Sequence, residues 1–198
     1  MTTVLSSLRQ AAAGLRLLLA LTVLLGVLYP AAVLLAGAAL RDRADGSPLR
    51  VDGQVAGSRL LGQPFAGDQW FLPRPSNAGD GYDPLSSGAG NLGPENTDLV
   101  AEVEARRSEV AAREGVEPTA VPADAVTASG SGLDPHVSPA YAELQVARVA
   151  RVRGLDPARV RALVADATTG RALGFVGEPA VNVVELNAAV QVLDRAAP

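Results

Sequence analysis

An uncharged apolar run near the start of the chain limits the possible folds more than any other feature. From Leu17 to Leu40 the sequence reads LLLALTVLLGVLYPAAVLLAGAAL and contains no charged residue. A hydrocarbon core about 30 Å thick needs about 20 helical residues, because lipid offers the backbone no hydrogen-bond partners. The run therefore predicts one membrane-spanning helix that is kinked at Pro30.

A cleaved signal peptide is the alternative interpretation of this segment. Arg9 and Arg16 would form its charged start, and the small residues AGA at 36–38 resemble a cleavage site. Signal cores run about 7 to 15 residues, which is shorter than this run, so a retained anchor is favoured. Three arginines follow the run as well, so arginine counting does not decide the orientation.

The residue types that are missing exclude several chemistries. All 17 basic residues are arginine, cysteine is absent and there is one histidine. Without lysine, a phosphate-binding loop of the G-x-x-x-x-G-K-[ST] type and a Schiff-base enzyme are both excluded. Without cysteine and with one histidine, no thiolate or poly-histidine metal site is expected. A net charge of −4 with no basic stripe also argues against nucleic acid as a partner.

The rest of the chain alternates predicted strands and helices. We therefore expect a short N-terminal tail at 1–16, a transmembrane helix at 17–40 and one compact mixed α/β (α+β) soluble domain at 41–198. Turn and cap residues place the elements of that domain. They are a strand or hairpin within 51–65 with Gly53 and Gly57 at turns or bulges, a helix to Gly115, a strand at 121–128, helices at 139–153 and 157–168, a strand at 179–186, and a helix at 187–195.

Two segments are rich in turn-forming residues. Residues 72–96 have the composition of a flexible linker, but Arg74, Tyr82 and Asp83 are spaced among the turn formers. An ordered surface loop uses such side chains, whereas a linker does not, so we expect order. The second segment, TASGSGLDPHVSP at 127–139, contains the only histidine of the chain.

The second segment contains the residue types of a hydrolase triad. These are Ser129 or Ser131, Asp134 and His136. The groups of a triad come from separate elements, and no G-x-S-x-G motif is present, so no catalytic residue is predicted. Two other interpretations stay open: a nest of backbone N–H groups that holds an anion or phosphate, and a rigid loop that docks on a protein partner.

Five blocks of sequence carry a resemblance to a known family. They are GSRLLGQPF at 57–65, FLPRPSNAGDGYD at 71–83, NLGPEN at 91–96, VTASGSGLDPHVSPAYAELQVARVA at 126–150 and GEPAVNVVELN at 177–187. In this order they resemble the C subunit of the Kdp-type potassium-transporting ATPase, over about 22–193. Gly90 and Ala180 depart from the usual pattern, where a serine and an arginine are common.

The resemblance implies an accessory, non-catalytic subunit of an ATP-driven potassium uptake complex. It would assemble and stabilise a potassium-channel-like subunit and a P-type ATPase subunit. It implies a single-pass protein of the cell membrane with an extracytoplasmic domain. ATP, magnesium and potassium would be handled by the partner subunits, and the chain would need no cofactor or metal of its own.

Candidate contact residues follow from these blocks. For the partner subunits, they are Arg74, Tyr82, Asp83, Asn91, Ser129, Ser131, Asp134 and His136. A second role credited to the family is that of a catalytic chaperone that raises the ATP affinity of the pump subunit. Its nucleotide-contact candidates are Ser129, Gly130, Ser131, Gly132 and Gln145. A membrane-anchored binding or hydrolytic domain that acts alone remains a further alternative.

Overall fold

The chain forms two units in a computed structural model, which describes residues 2–195 and the side chains of 4–195. The first unit is Met1–Ser47 and the second is Pro48–Pro198. An apolar helical unit followed by a compact domain of helices and small antiparallel sheets confirms the expected fold class.

The first unit is a long helix with an irregularity ahead of its proline. Helix α1 (Thr2–Val23) continues through a π-helical segment (Leu24–Leu28) into α2 (Tyr29–Ala39), and a short α3 (Arg41–Ala44) follows. Pro30 has no N–H to donate, and the wider π turn rearranges the backbone bonds just before it. Helical conformation also covers residues 2–16, ahead of the apolar run from which the span was placed.

Among the described residues, one helix is long and apolar enough to cross a bilayer. It runs through Val4–Ala39, with a mean hydropathy of 2.5 over its most apolar window. Its large apolar side chains are exposed in the unit as it stands. This pattern agrees with a helix whose surroundings are lipid or other membrane helices.

The second unit opens with a hairpin, the second of the two alternatives for this part of the chain, but it begins at Pro48 and ends at Ser58, earlier than the predicted 51–65. Strand β1 (Pro48–Val51) pairs with the antiparallel β2 (Gln54–Ser58). Asp52 and Gly53 connect them with φ angles of 52° and 78°, as a tight two-residue turn requires. The register shifts between Leu49 and Arg50, which places a bulge beside Gly57.

Three helices lie where their caps predict. The side chain of Asn96 caps α4 (Thr97–Glu114), Ser138 caps α5 (Pro139–Arg153), and Asp156 caps α6 (Pro157–Asp166). Glycine in the left-handed conformation ends α4 and α5. Helix α6 ends at Asp166, two residues before the predicted end, because Thr168–Thr169 forms strand β4.

The strand predicted at 121–128 is wrong. Two 3₁₀ turns (Pro118–Ala120 and Ala123–Ala125) occupy this part of the chain. Pro122 has no N–H for a strand ladder, and Asp124 accepts hydrogen bonds from the backbone N–H and the hydroxyl of Ser138 at 2.6 and 2.9 Å. The segment is anchored by these bonds and by buried side chains.

The strand predicted at 179–186 is shorter than expected. Strand β5 covers Ala180–Asn182, and α7 (Val183–Arg195) begins directly after it. The side-chain oxygen of Asn182 accepts hydrogen bonds from the N–H groups of Val184 and Glu185, each at 3.1 Å. Asparagine at this point starts a helix and ends the strand, although the valines after it favour strand.

A small antiparallel sheet and the helices enclose the core. The strand order is β3 (His136–Val137), β5, β4, with Val181 opposite Val137 and Thr168. Helices α4, α5, α6 and α7 supply most of the core residues. The core includes Phe71, Tyr141, Val146, Val149, Val160, Val181, Leu186 and Val190.

Candidate functional site

Two irregular segments of the second unit lie against each other. We call residues 72–96 the first loop and residues 127–139 the second loop, and together the paired loops. Arg74 of the first loop donates to the carbonyl oxygens of Thr127 and Ala128, each at 3.2 Å. Its guanidinium also lies 3.6 Å from the carboxylate of Asp134. One arginine therefore contacts the beginning and the middle of the second loop.

Ser76 and Tyr82 hold the turn of the first loop. The Ser76 hydroxyl donates to the carbonyl of Gly132 at 2.6 Å and accepts from the N–H of Tyr82 at 2.8 Å. The phenol of Tyr82 donates to the carbonyl of Arg74 at 2.7 Å. Burial raises the pKa of Tyr82, so this hydroxyl keeps its proton and remains a donor.

The backbone of Gly132 meets the first loop too closely for any side chain. Its φ is 69°, and a Cβ there would lie 2.7 Å from the backbone nitrogen of Ala78 and 2.8 Å from the carbonyl oxygen of Gly88. Only glycine satisfies both conditions without displacement. Gly130, in contrast, has open space where a Cβ would be.

Ser129 and Ser131 take different positions in the second loop. Ser129 is buried, with 8% of its surface exposed, whereas Ser131 is exposed. The carbonyl of Ser131 accepts hydrogen bonds from the Gly88 N–H at 2.9 Å and from the Ser87 hydroxyl at 3.0 Å. Its own hydroxyl accepts from the Leu133 N–H at 3.1 Å.

Asp134 and His136 form a half-buried polar pair. One carboxylate oxygen of Asp134 accepts from the backbone N–H of His136 and lies 3.0 Å from its Nδ1. These hydrogen bonds lower the pKa of Asp134, and the same side-chain bond raises the pKa of His136. The pair is therefore strongest when the carboxylate is ionised and the imidazole is protonated.

Asp83 and Asn91 lie elsewhere on the first loop. The carboxylate of Asp83 accepts from the N–H of Leu85 at 2.9 Å, which closes a local turn. Asn91 is exposed in the left-handed conformation, with a φ of 51°. It lines a 240 Å³ cavity that Ser129 and Gly130 also line. Asn91 therefore lies on the same surface as Ser129 and Gly130, whereas Asp83 lines neither this cavity nor the concavity described next.

An open concavity of 630 Å³ lies between the paired loops and the end of the hairpin. Asp134 and His136 line it beside Ser129 and Ser131. Its wall also has apolar members, of which Leu60 and Leu61 are 60% and 40% exposed. Within residues 2–195, no cluster of three or more His, Asp or Glu side chains could hold a metal ion.

Gln145 lies inside the domain, away from these concavities. Its side chain is fully buried, its Oε1 accepts from the N–H of Leu72 at 2.7 Å, and its Nε2 donates to the carbonyl of Leu72 at 3.1 Å. Arg148 donates to the same Oε1 at 2.7 Å. All polar atoms of the Gln145 amide therefore have partners within the protein.

Sequence reasoning missed Asn187, whose side-chain amide binds the backbone of Phe71 as Gln145 binds the backbone of Leu72. Its Oδ1 accepts from the N–H of Phe71 and its Nδ2 donates to the carbonyl of Phe71, both at 2.9 Å. Asn187 and Gln145 thus bind the backbone of two consecutive residues, as the edge of a sheet would. The sequence did contain a signal for this role, because Gln145 and Asn187 each stand among apolar residues of a predicted helix.

Arg148 and Arg153 of α5 bind the irregular stretch of chain that leads into the first loop. Arg148 donates to the carbonyls of Asp68 and Trp70 and pairs with Glu114 at 2.8 Å. Both side chains of that ion pair are 2% exposed. Arg153 lies 4.4 Å from the ring centre of Trp70 and also pairs with Asp194. Burial raises the pKa of Glu114, which the guanidinium of Arg148 opposes.

The arrangement is suited to presenting a fixed surface. The hydrogen bonds of Arg74, Ser76, Tyr82 and Gln145 end on protein backbone, so these groups shape the loops. The groups that line the concavity beside them are a half-buried carboxylate and imidazole, serine hydroxyls and leucines. Such a mixture of polar and apolar groups on a rigid frame is typical of a protein contact surface.

Comparison with known proteins decides the family. The family model described as K+-transporting ATPase, c chain, matches residues 11–192. The chain belongs to the KdpC family. The KdpC match includes part of α1, both loops and most of α7, so it covers both units.

Curated KdpC relatives cover nearly the same length. The chain is 63% identical over 184 residues to the potassium-transporting ATPase KdpC subunit of Kineococcus radiotolerans, which covers 93% of this chain and 94% of that protein. It is 50% identical over 167 residues to the KdpC subunit of Koribacter versatilis, and the match covers 84% of this chain and 86% of that protein. It is 48% identical over 190 residues to that of Mycobacterium tuberculosis H37Rv, covering 94% and 98%.

Proposed function

We propose that this chain is an accessory subunit that assembles and stabilises the channel-like and P-type ATPase subunits of a potassium uptake complex. Membership of the KdpC family and the names of the relatives support a place in that complex. The long apolar helix supplies one attachment, within the membrane. The paired loops supply the second, on the channel-like subunit.

The single observation that carries this proposal is the rigid frame under the paired loops. Arg74, Ser76 and Gly132 fix loops that contain little regular structure. A loop with no partner needs no such fixing, because flexible connections are stable on a surface. A preformed surface binds with less loss of conformational entropy, which favours stable assembly.

The partner-contact candidates divide into two groups under this proposal. Arg74, Tyr82 and Asp83 build the loops, because their polar atoms bond within them. The groups that face outward are the ones we expect to meet the channel-like subunit. They are Asn91, Ser131, Asp134, His136 and the edge of Ser129.

The orientation of the soluble domain is part of the proposal. We place it outside the cytoplasm, where it would cover the ion entrance and where Asp83 and Asp134 would raise the local cation concentration. The natural absence of cysteine allows a direct test. Ser108→Cys, exposed on α4, should react with a membrane-impermeant maleimide in intact cells. Labelling that requires cell lysis would contradict this orientation.

An effect on ATP affinity is the second candidate role, and the position of Gln145 counts against it. The side chain is fully buried and bonded to Leu72, so a nucleotide could reach it only if the first loop moved away. Ser129, Gly130, Ser131 and Gly132 belong to a loop that would lie on the opposite side of the membrane from cytoplasmic ATP. Direct nucleotide contact and the proposed orientation exclude each other.

An independent hydrolytic domain is the third candidate. Asp134 and His136 share a concavity with Ser129 and Ser131, which are the residue types of a triad. The Ser131 hydroxyl, however, accepts a bond from its own loop, and Ser129 is buried. A purified chain that hydrolysed esters without partner subunits would favour this role over assembly.

Substitution of the outward pair tests the assembly role. In the co-expressed complex, Asp134→Ala together with His136→Ala should lower the recovery of the complex and its apparent affinity for potassium. Arg161→Ala is the matched control, because it removes an exposed ion pair with Glu143 on the outer side of α5 and α6. Unchanged assembly and potassium affinity in the double variant would contradict the proposal.

A further inference from the structure

A short arm between β4 and β5 presents apolar side chains to solvent. The arm consists of residues 170–179. Ala172 and Val176 exchange two backbone hydrogen bonds of 2.9 Å, so the arm is a closed hairpin. At its tip, Leu173, Phe175 and Val176 are 86%, 74% and 49% exposed. We call these three side chains the arm tip.

The turn of the arm holds a large apolar residue, Leu173, in the left-handed backbone conformation, which is unfavourable for it. Leu173 has a φ of 54° and Gly174 a φ of 82°. Glycine or asparagine would adopt the first of these angles with less strain than leucine. The geometry of the turn therefore does not account for a leucine at position 173. The Leu173 side chain does not pack into the core of its own domain either.

The two charges of the arm neutralise each other. Arg171 and Glu178 form an ion pair of 2.6 Å at the base of the arm, behind the tip. A tip that enters an anionic lipid surface is normally flanked by cations that are free to meet the headgroups. The arm has no second basic residue, so its charge suits an uncharged apolar pocket of a protein.

The size of the arm tip also limits its occupant. A phenylalanine buries about 200 Å² and the two aliphatic side chains bury less, so the tip falls short of the ~800 Å² per partner that a self-standing complex needs. A dimer of this chain through the tip alone is therefore excluded. The tip can contribute only to an assembly that other contacts already hold together.

We propose that the arm tip inserts into an apolar pocket on the extracytoplasmic face of the channel-like subunit. This inference rests on the proposed function, which supplies both the other contacts and the orientation. On that side of the membrane, the ATP-handling parts of the pump subunit are out of reach. The arm connects β4 to β5 and contains no residue of the paired loops, so it is a second attachment to the channel-like subunit.

Photo-crosslinking from a single introduced cysteine tests the contact. Phe175→Cys, carrying a photoreactive maleimide, is compared with Val192→Cys, whose residue is 55% exposed on α7. Both are made in the full chain and co-expressed with the partner subunits. After irradiation in native membranes, we expect the first probe to join the channel-like subunit at least about tenfold more than the second. Joining to lipid only, to a second copy of the chain, or equally from both positions would overturn the inference.

A second variant measures what the contact contributes. Leu173→Ser with Phe175→Ser changes only exposed side chains, so the domain should fold as before. It should dissociate from the detergent-extracted complex at least about tenfold faster, whereas Val192→Ser should not. The unmodified chain is purified in parallel. If no partner subunit co-purifies with the unmodified chain, the proposed function is contradicted. If partner subunits co-purify and the variant dissociates at the same rate as the unmodified chain, only the role of the arm is contradicted.

Discussion

The side-chain amide of Gln145 binds both backbone groups of Leu72, accepting from its N–H at 2.7 Å and donating to its carbonyl at 3.1 Å. Asn187 does the same for Phe71. The chain that leads into the first loop is thus held by two helices, α5 and α7, through side chains that replace a neighbouring strand. The position of the paired loops depends on this attachment.

Removal of one of these amides should destabilise the protein strongly. Gln145→Ala leaves the part-buried N–H and carbonyl of Leu72 without their partner and opens a cavity where a fully buried side chain was, so we expect a loss of about 2 to 4 kcal/mol. Gln54→Ala, which removes an exposed amide on β2, should change stability by less than about 0.5 kcal/mol. Denaturant unfolding of the full-length variants in detergent measures both. Similar losses in the two variants would refute the role assigned to Gln145.

Two glycines of the second loop should respond differently to the same substitution. Gly132→Ala places a Cβ against the backbone of the first loop at a φ of 69°, so it should lower the free energy of unfolding by roughly 1 to 3 kcal/mol. Gly130→Ala adds the same methyl group where space is open, and should be nearly neutral. Equal melting temperatures for the two variants would show that the loops are not in the close contact described.

The Asp134–His136 pair should make a pH-dependent contribution to stability. The lowered pKa of Asp134 means that its contribution is lost as pH falls through the folded-state pKa, below the ordinary 3.8. The raised pKa of His136 means that its contribution is lost as pH rises through a folded-state pKa above 6.5. The pair therefore contributes fully between these two ordinary values.

The only histidine of the chain can be titrated directly by NMR. We expect its pKa to lie above 6.5 in the native protein and to fall in Asp134→Asn, because the side-chain bond to the carboxylate is the largest cause of the shift. The nearby Glu185, which also raises the pKa, remains in both proteins. An unchanged titration in the variant would contradict the pairing.

The buried ion pair of Arg148 and Glu114 should be far more sensitive than the surface pairs. Arg148→Ala leaves a carboxylate 2% exposed without its partner and frees the carbonyls of Asp68 and Trp70, so a loss of about 3 to 5 kcal/mol is expected. Arg107→Ala, which breaks an exposed pair with Glu104, should cost less than about 1 kcal/mol. Chemical denaturation of both variants tests the difference.

Local signals made much of the fold predictable. Asn96, Ser138 and Asp156 begin helices through bonds to residues two or three positions ahead, and Gly115 and Gly154 end them, so the sequence contains both partners of each bond. The hairpin turn at Asp52 and Gly53 is local in the same sense. An order of elements that rests on such signals can be read without tertiary contacts.

Two of the failures involve partners that are distant along the chain. The strand expected at 121–128 is absent because Asp124 binds Ser138, and the candidate Gln145 is buried because it binds Leu72. Neither contact leaves a local pattern. The spacing of Arg74, Tyr82 and Asp83 among turn formers predicted an ordered first loop, but the bonds from Arg74 to the backbone carbonyls of the second loop could be learned only from the structure.

Co-purification tests whether the chain assembles with a channel-like subunit and a P-type ATPase subunit. The chain is tagged at its C-terminus, membranes are extracted in mild detergent after potassium starvation, and the proteins that co-purify in stoichiometric amounts are identified by mass spectrometry. We expect a multi-span channel-like protein and a P-type ATPase, both recovered in smaller amounts when Asp134 and His136 are replaced by alanine. Recovery of the intact chain alone, under conditions that preserve other membrane complexes, would contradict it.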